Sequence, residues 1–370
     1  MRKDLLRSAR RGWRALAVLL VASAAWVAAP AQEDLRCLSC HGKPGFRQIR
    51  PSGEVLELFV DPTLLRQSVH AQNTCVDCHA DVDEVPHPER PGRVNCRRCH
   101  YDGSTAGVPQ TAKYMEFERS VHGRELAGGN PKAPLCQECH GDHLIAPGTD
   151  PRSSVNRAHV TQVCGACHLK VYGEYRASIH GKALYRGAKD APVCTDCHGE
   201  HTIARPEERG SSVNPANVGN TCAQCHAKVF IMEKYGVKVQ QVATYRDSFH
   251  GIATEFGNLK AANCASCHQA HLILPSADPQ SSVNVKNIPA TCGKCHPGAN
   301  ANFAKGRIHL NPKDRSAGIV YWVALGFEIL TVSTLTGLFI HIGLDLFRQY
   351  RSRRRRRTGP HAEEEGEAKP

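Results

Sequence analysis

The chain has 370 residues, among them 18 cysteines and 21 histidines, and a formal net charge of +12. All 18 cysteines fall into nine C-x-x-C pairs, each followed directly by His, which leaves none for a disulfide framework, a separate zinc knuckle or a catalytic thiol. At this His content, chance would place His after all nine pairs with odds on the order of 10⁻¹¹, so the spacing is a haem-attachment signal.

Residues 1–31 read as a secretory signal. Arg2, Lys3, Arg7, Arg10, Arg11 and Arg14 form a charged n-region and Ala15 to Ala28 an apolar h-region. Ala29-Pro30-Ala31 is a cleavage site that predicts Gln32 as the mature start. The alternative is an uncleaved anchor, for which the apolar run is short. Export suits covalent haem attachment, which takes place outside the cytoplasm.

Residues 32–102 form an N-terminal three-haem region. Its motifs are Cys37, Cys40 and His41; Cys75, Cys78 and His79; and Cys96, Cys99 and His100. In each, two thiols add across the vinyl groups of one haem and the adjoining His takes one axial position on the iron. C-x-x-C pairs with His also suit tetrahedral zinc, but zinc sets need no His beside every second cysteine. Residues 103–111 read as a linker.

Residues 112–313 hold three copies of a two-haem repeat. The first copy carries Ser120-Val121-His122-Gly123, then Cys136, Cys139 and His140, then His143, Ser153-Ser154-Val155-Asn156, and Cys164, Cys167 and His168. The second carries Ser178-Ile179-His180-Gly181, Cys194, Cys197 and His198, His201, Ser211-Ser212-Val213-Asn214, and Cys222, Cys225 and His226. The third carries Ser248-Phe249-His250-Gly251, Cys264, Cys267 and His268, His271, Ser281-Ser282-Val283-Asn284, and Cys292, Cys295 and His296. A looser copy precedes them, with Ser68-Val69-His70, the Cys75 motif, His87 and the Cys96 motif. The Cys37 motif stands alone. No long stretch shows sustained helical or strand periodicity. The expected fold is therefore short α-helices and loops packed around nine c-type haems, with little sheet.

Ten exported histidines lie outside the motifs, against nine irons that each need a second ligand. One class follows S-x-H: His70, His122, His180 and His250. A second lies three residues after a motif His: His143, His201 and His271, with His87 as a looser equivalent. A motif His and one three residues later lie on the same side of the chain, so each of the second class should serve a neighbouring haem. His309 is a candidate for the lone Cys37 haem or the last one. His159 aligns with Asn217 and Asn287, which marks it as the spare. Only Met115 and Met232 remain after processing. Methionine ligation raises haem potentials, so mostly bis-His ligation implies low ones, at the level of menaquinol or below.

Residues 317–347 read as a transmembrane helix. Ile319 to Leu344 holds one charge, Glu328, and as a helix would cross a ~30 Å hydrocarbon core. Arg348, Arg351 and Arg353 to Arg357 follow, which places that end in the cytoplasm and the haem region in the periplasm of the inner membrane. Residues 348–370 form a basic then acidic tail, disordered from Thr358. Without signal, helix and tail, 33 basic and 28 acidic residues remain. The two propionates of each haem would turn that region net negative, which excludes a nucleic-acid surface. Ser333, Gly337 and His341 lie four apart, a small-residue stripe suited to docking on an integral membrane partner. His341 is also a candidate ligand for a b-type haem completed by that partner; the plainer alternative is an interfacial His near the helix end.

The nine motifs and the S-x-H-G and C-x-x-C-H-G-x-H elements, over residues 37 to 310, resemble the multihaem c-type cytochromes with doubled C-x-x-C-H motifs. Nine haems followed by a membrane helix look like the haem subunit of membrane menaquinol oxidoreductases in metal-respiring bacteria. The resemblance implies a quinol-oxidising or b-type cytochrome membrane partner and a periplasmic acceptor such as another cytochrome c. With one helix here, a quinone site would belong to a separate subunit. The C-terminal anchor departs from the tetrahaem quinol dehydrogenases, whose anchor is N-terminal. The expected function is electron transfer. The alternative is a reductase of a small nitrogen or sulfur species, which needs one iron with an open position. Nitrite reductases of this type have Lys in place of a motif His, and all nine motifs here end in His. A structural haem scaffold for an outer-membrane conduit fits the inner-membrane topology poorly.

Overall fold

The computed structural model describes residues 32–87, 91–101, 103–105, 107–108 and 111–358. The expected signal (1–31) and the acidic end of the tail (359–370) lie outside the described residues. The expected linker is described only in part, and the helix Thr111–Arg119 starts at its last residue. The chain is mainly helical. Its sheet, among the described residues, is one antiparallel pair, Arg47–Ile49 with Val55–Glu57, in which Ile49 lies opposite Val55. The chain divides into two units. One holds the described residues up to Thr221 together with Cys264–Asn284; the other holds Cys222–Asn263 and the residues from Val285 onward.

The first unit is built on a broken helix repeated along the chain. Thr111–Arg119 gives way to Val121–Ala127 at Ser120, and Leu169–Ala177 to Ile179–Tyr185 at Ser178. Each Ser is extended and caps the second helix. Ser120 Oγ accepts from the Gly123 amide at 3.1 Å, and Ser178 Oγ from the Gly181 amide at 3.1 Å. The same hydroxyls donate back to the carbonyls of Phe117 and Tyr175, each at 2.6 Å. Gly123 has to be glycine, because a Cβ there would strike the Phe117 carbonyl oxygen and lie 2.7 Å from Glu118 Cα. The S-x-H-G element is thus a capped helix break with tight backbone crossing, and it places His at the second position of the new helix.

Successive copies in this unit are joined by one recurring backbone bond. The residue after the capping Ser donates to the carbonyl two residues beyond the next copy's C-x-x-C-H-x-x-H histidine: Val69 to Ile145 (2.8 Å), Val121 to Ile203 (2.7 Å) and Ile179 to Ile273 (2.8 Å). Ion pairs Arg124–Glu208 (2.5 Å) and Arg205–Glu125 (2.6 Å) cross the same junction between the first two regular copies. Their exposure makes each worth little alone. The S-S-V-N element folds back on its own copy. In the first copy Ser153 Oγ donates to Ala146 O (3.0 Å), Ser154 Oγ to Cys139 O (2.6 Å) and Asn156 Nδ2 to Gly148 O (2.8 Å).

The second unit repeats the break, with Gln241–Arg246 and Phe249–Glu255 meeting at Ser248, and buries Ile231 and Met232. It ends in one helix, Ile319–Thr358, of 40 residues and so about 60 Å long. Gly318, at φ +63°, separates it from the turn Arg315–Ala317. Its residues Ile319–Arg355 are long and apolar enough to span a membrane, with none of the apolar window buried in protein. The helix runs beyond the expected end at Phe347. Arg is a good helix former, and Asp345 accepts from Arg348 (3.1 Å) and Gln349 (2.8 Å) one turn on.

Buried apolar side chains are few and mostly small: Ala133, Ala146, Val160, Ala191 and Val193 in the first unit, besides Leu274. The most deeply buried side chains of any size are Thr161, Ser153, Ser178 and Ser281, which hold the repeat together by hydrogen bonds. The polypeptide supplies almost no aliphatic core of its own.

Candidate functional site

Four of the attachment motifs sit on a single short helix of their own, while in the Cys164 and Cys292 motifs the helix ends before the second cysteine. Cys75–Cys78, Cys136–His140, Cys194–His198 and Cys264–His268 put both thiols on one short helix. An acidic residue inside the motif fixes the start of that turn. Asp77, Glu138 and Asp196 accept the backbone N–H of Thr74 (2.7 Å), Leu135 (2.6 Å) and Val193 (2.6 Å). Gly141 (φ +80°) and Gly199 (φ +76°) end the turn in a left-handed conformation, which swings the following His away from its own motif. In the third copy Gln269 adopts φ +66° at that place. None of the 18 cysteines is in a disulfide. Sulfurs of different motifs come close enough to interact, Cys96 with Cys136 and Cys164 with Cys194. Motifs adjacent in sequence are therefore adjacent in space at these points.

The histidines come together in pairs. His79 faces His143 (ring centres 6.5 Å, planes 29° apart), His140 faces His201 (5.9 Å, 10°) and His198 faces His271 (6.1 Å, 14°). His41 faces His87 (6.0 Å, 8°). The S-x-H class pairs differently: His70 with His100 (5.9 Å, 63°), His122 with His168 (6.2 Å, 37°) and His250 with His296 (6.0 Å, 47°). Every pair joins one motif His to one non-motif His, and His143, His201 and His271 each face the motif His of a preceding copy. The ring positions opposite His41 and His296, the two places for which His309 was a candidate, hold His87 and His250. His309 Nδ1 lies 3.2 Å from Thr244 Oγ1. His180 stands in the middle copy where His122 and His250 stand in theirs, at the second position of the helix Ile179–Tyr185.

The spacing can be tested against an iron-bearing group. A metal–imidazole bond is about 2 Å and the ring centre lies about 1.1 Å behind the nitrogen, so two ligands on opposite sides of one iron put ring centres roughly 6.2 Å apart. The observed 5.9–6.5 Å fits. Among the described residues no group of three or more His, Cys, Asp or Glu side chains converges as a bare ion would require. Two imidazoles are what a porphyrin-held iron leaves for the protein to supply. Burial pushes His79, His122, His140, His143, His198 and His201 below their usual value, which favours the neutral imidazole. His41 Nδ1 lies 2.8 Å from Leu58 O, which directs its other nitrogen toward His87.

His159 has a different job. Its Nδ1 lies 3.0 Å from Ser153 O, and Asn217 Nδ2 makes the matching bond to Ser211 O at 2.8 Å in the next copy. The residues that sequence reasoning left without a role are the capping serines, the acidic residue within the motif and the S-S-V-N staples. Their recurrence at fixed offsets was the available signal. Comparison of the chain with protein-family models, curated proteins and solved structures gave no match.

Proposed function

We propose that the chain is a membrane-anchored, nine-haem c-type cytochrome that carries electrons. It would take them from an integral membrane quinol-oxidising or b-type subunit and pass them to a periplasmic acceptor such as another cytochrome c. The observation that carries this reading is the set of motif-to-partner His pairs at the spacing of two axial ligands on one iron. The nine cysteine pairs would attach the haems, the nine motif histidines would be proximal ligands, and His70, His87, His122, His143, His180, His201, His250 and His271 distal ones, with His309 serving a haem other than those of the Cys37 and Cys292 motifs. Haem iron supplies reversible one-electron storage. The residues hold each ring pair rigid through caps and staples, so the axial ligands need little rearrangement when an electron arrives. The meeting of thiols from neighbouring motifs supports short steps along the chain.

On this reading the Cys292 motif, the last before the membrane helix, is the entry end and the Cys37 motif the exit. On the same reading the Arg-rich end of the helix lies in the cytoplasm and the haem region outside, as the positive charge beside the apolar run favours. A shallow groove along it, bordered by Glu328, Ser333, Thr336 and Gly337, supports docking on another membrane helix.

The test is a haem count on the purified full-length chain by pyridine haemochrome and intact mass, with carbon monoxide added to the reduced form. Nine covalent haems that do not bind carbon monoxide are expected. A chain without covalent haem would refute the proposal, and one haem that takes up carbon monoxide would move the assignment to the reductase.

A further inference from the structure

The two classes of histidine pair differ in the angle between their rings, and the difference follows the sequence element that supplies the distal ring. Where the distal His lies on the loop after C-x-x-C-H, or is His87, the planes are 8–29° apart. Where it belongs to S-x-H, they are 37–63° apart. No pair of one class overlaps the other. The backbone accounts for both. The loop class is fixed just downstream by the S-S-V-N staples, such as Ser154 Oγ to Cys139 O and Ser282 Oγ to Cys267 O. His122 and His250 ride on the second residue of a capped helix held by a glycine crossing, whereas His70, before Ala71, lies in a turn after Ser68.

We infer that the array holds electronically distinct kinds of iron, with nearly parallel axial imidazoles on the first motif of a copy and more steeply inclined ones on the second, most of all at the Cys96 motif. This rests on the bis-His haem reading above. Coplanar imidazoles direct their π orbitals at the same iron d orbital, which separates that orbital from its twin and gives a rhombic low-spin ferric centre. Crossed imidazoles treat both orbitals alike, which leaves them close in energy and gives a strongly axial centre. Coplanar donation also stabilises the ferric state more, so the crossed set is the easier to reduce. Along the Cys136, Cys164 and Cys194 motifs the order is coplanar, crossed, coplanar, so electrons cross an alternating series of potentials.

The experiment is electron paramagnetic resonance on the oxidised full-length holoprotein, followed through a redox titration. Two low-spin envelopes are expected: a rhombic set with three resolved features and a low-field set with one, the latter disappearing at the higher potential. His70→Met, which removes a ring inclined 63° to its partner, should remove one haem's intensity from the low-field set, and His201→Met one from the rhombic set. A single envelope in the native chain, or loss from the opposite set in either variant, overturns the inference while leaving the electron carrier intact. An absence of low-spin haem in the native chain would instead overturn the bis-His reading, and this inference with it.

Discussion

Alanine at Gly123 and at Gly173 should move stability in opposite directions, although both replace a helical glycine. At Gly123 the new Cβ would meet the Phe117 carbonyl oxygen, Glu118 Cα at 2.7 Å and the Phe117 carbonyl carbon at 2.8 Å. All three are backbone atoms of the preceding helix, so no rotamer change relieves the clash and the two helices must separate. Overpacking of this kind costs about 1–3 kcal/mol. The better helix propensity of alanine returns up to ~1 kcal/mol, leaving a net loss of about 1–2 kcal/mol. Gly173, exposed in the middle of Leu169–Ala177, has no atom within 4 Å of such a Cβ. There alanine should gain ~0.5–1 kcal/mol. Urea unfolding of the full chain in detergent, followed by circular dichroism, gives both midpoints. A Gly123→Ala midpoint at or above that of the native chain, or shifts of the same sign in both variants, would refute the claim that S-x-H-G is a tight backbone crossing.

Ser120→Ala removes a buried hydroxyl that bonds both helices and should cost about 1–2 kcal/mol, measured as a lower urea midpoint. Gln269→Gly relieves a left-handed conformation costing roughly 1–2 kcal/mol, less the added chain entropy of glycine, so a midpoint rise equivalent to about 0.5–1 kcal/mol is expected. His159→Asn should leave stability and the haem spectrum unchanged, as Asn217 makes the same bond, whereas a new high-spin band would show that His159 binds iron.

The repeat, the attachment motifs, the scarcity of sheet and the long apolar helix near the C-terminus were all visible as fixed spacings or composition. Each is a local property, settled by residues within a few turns of one another. The argument that His143 cannot share an iron with His140 was also local, because it needed only the three-residue spacing. Which ring His143 does face was not legible, since that depends on how copies stack, and copies are joined by backbone bonds such as Val69 to Ile145. The roles of Ser120 and Ser153 were hidden for a related reason. A serine near a helix break is common, and only its burial and its two partners show that it holds the crossing. The helix ran on past Phe347 because the sequence reading ended it where apolarity ended, and helical propensity does not follow hydropathy in an Arg-rich segment.

The recurring amide-to-carbonyl link has an evolutionary corollary. Each copy presents an amide donor and a motif His on one side, and on the other the carbonyl and the His that meet its neighbour's. A copy is therefore a cassette with matched plug and socket, and duplicating it whole preserves every junction. Duplicating half of it breaks two. Such an array can lengthen by in-frame tandem duplication of about 58 residues, the spacing from His122 to His180, without new packing having to arise. Chains of this build should differ in haem number by twos.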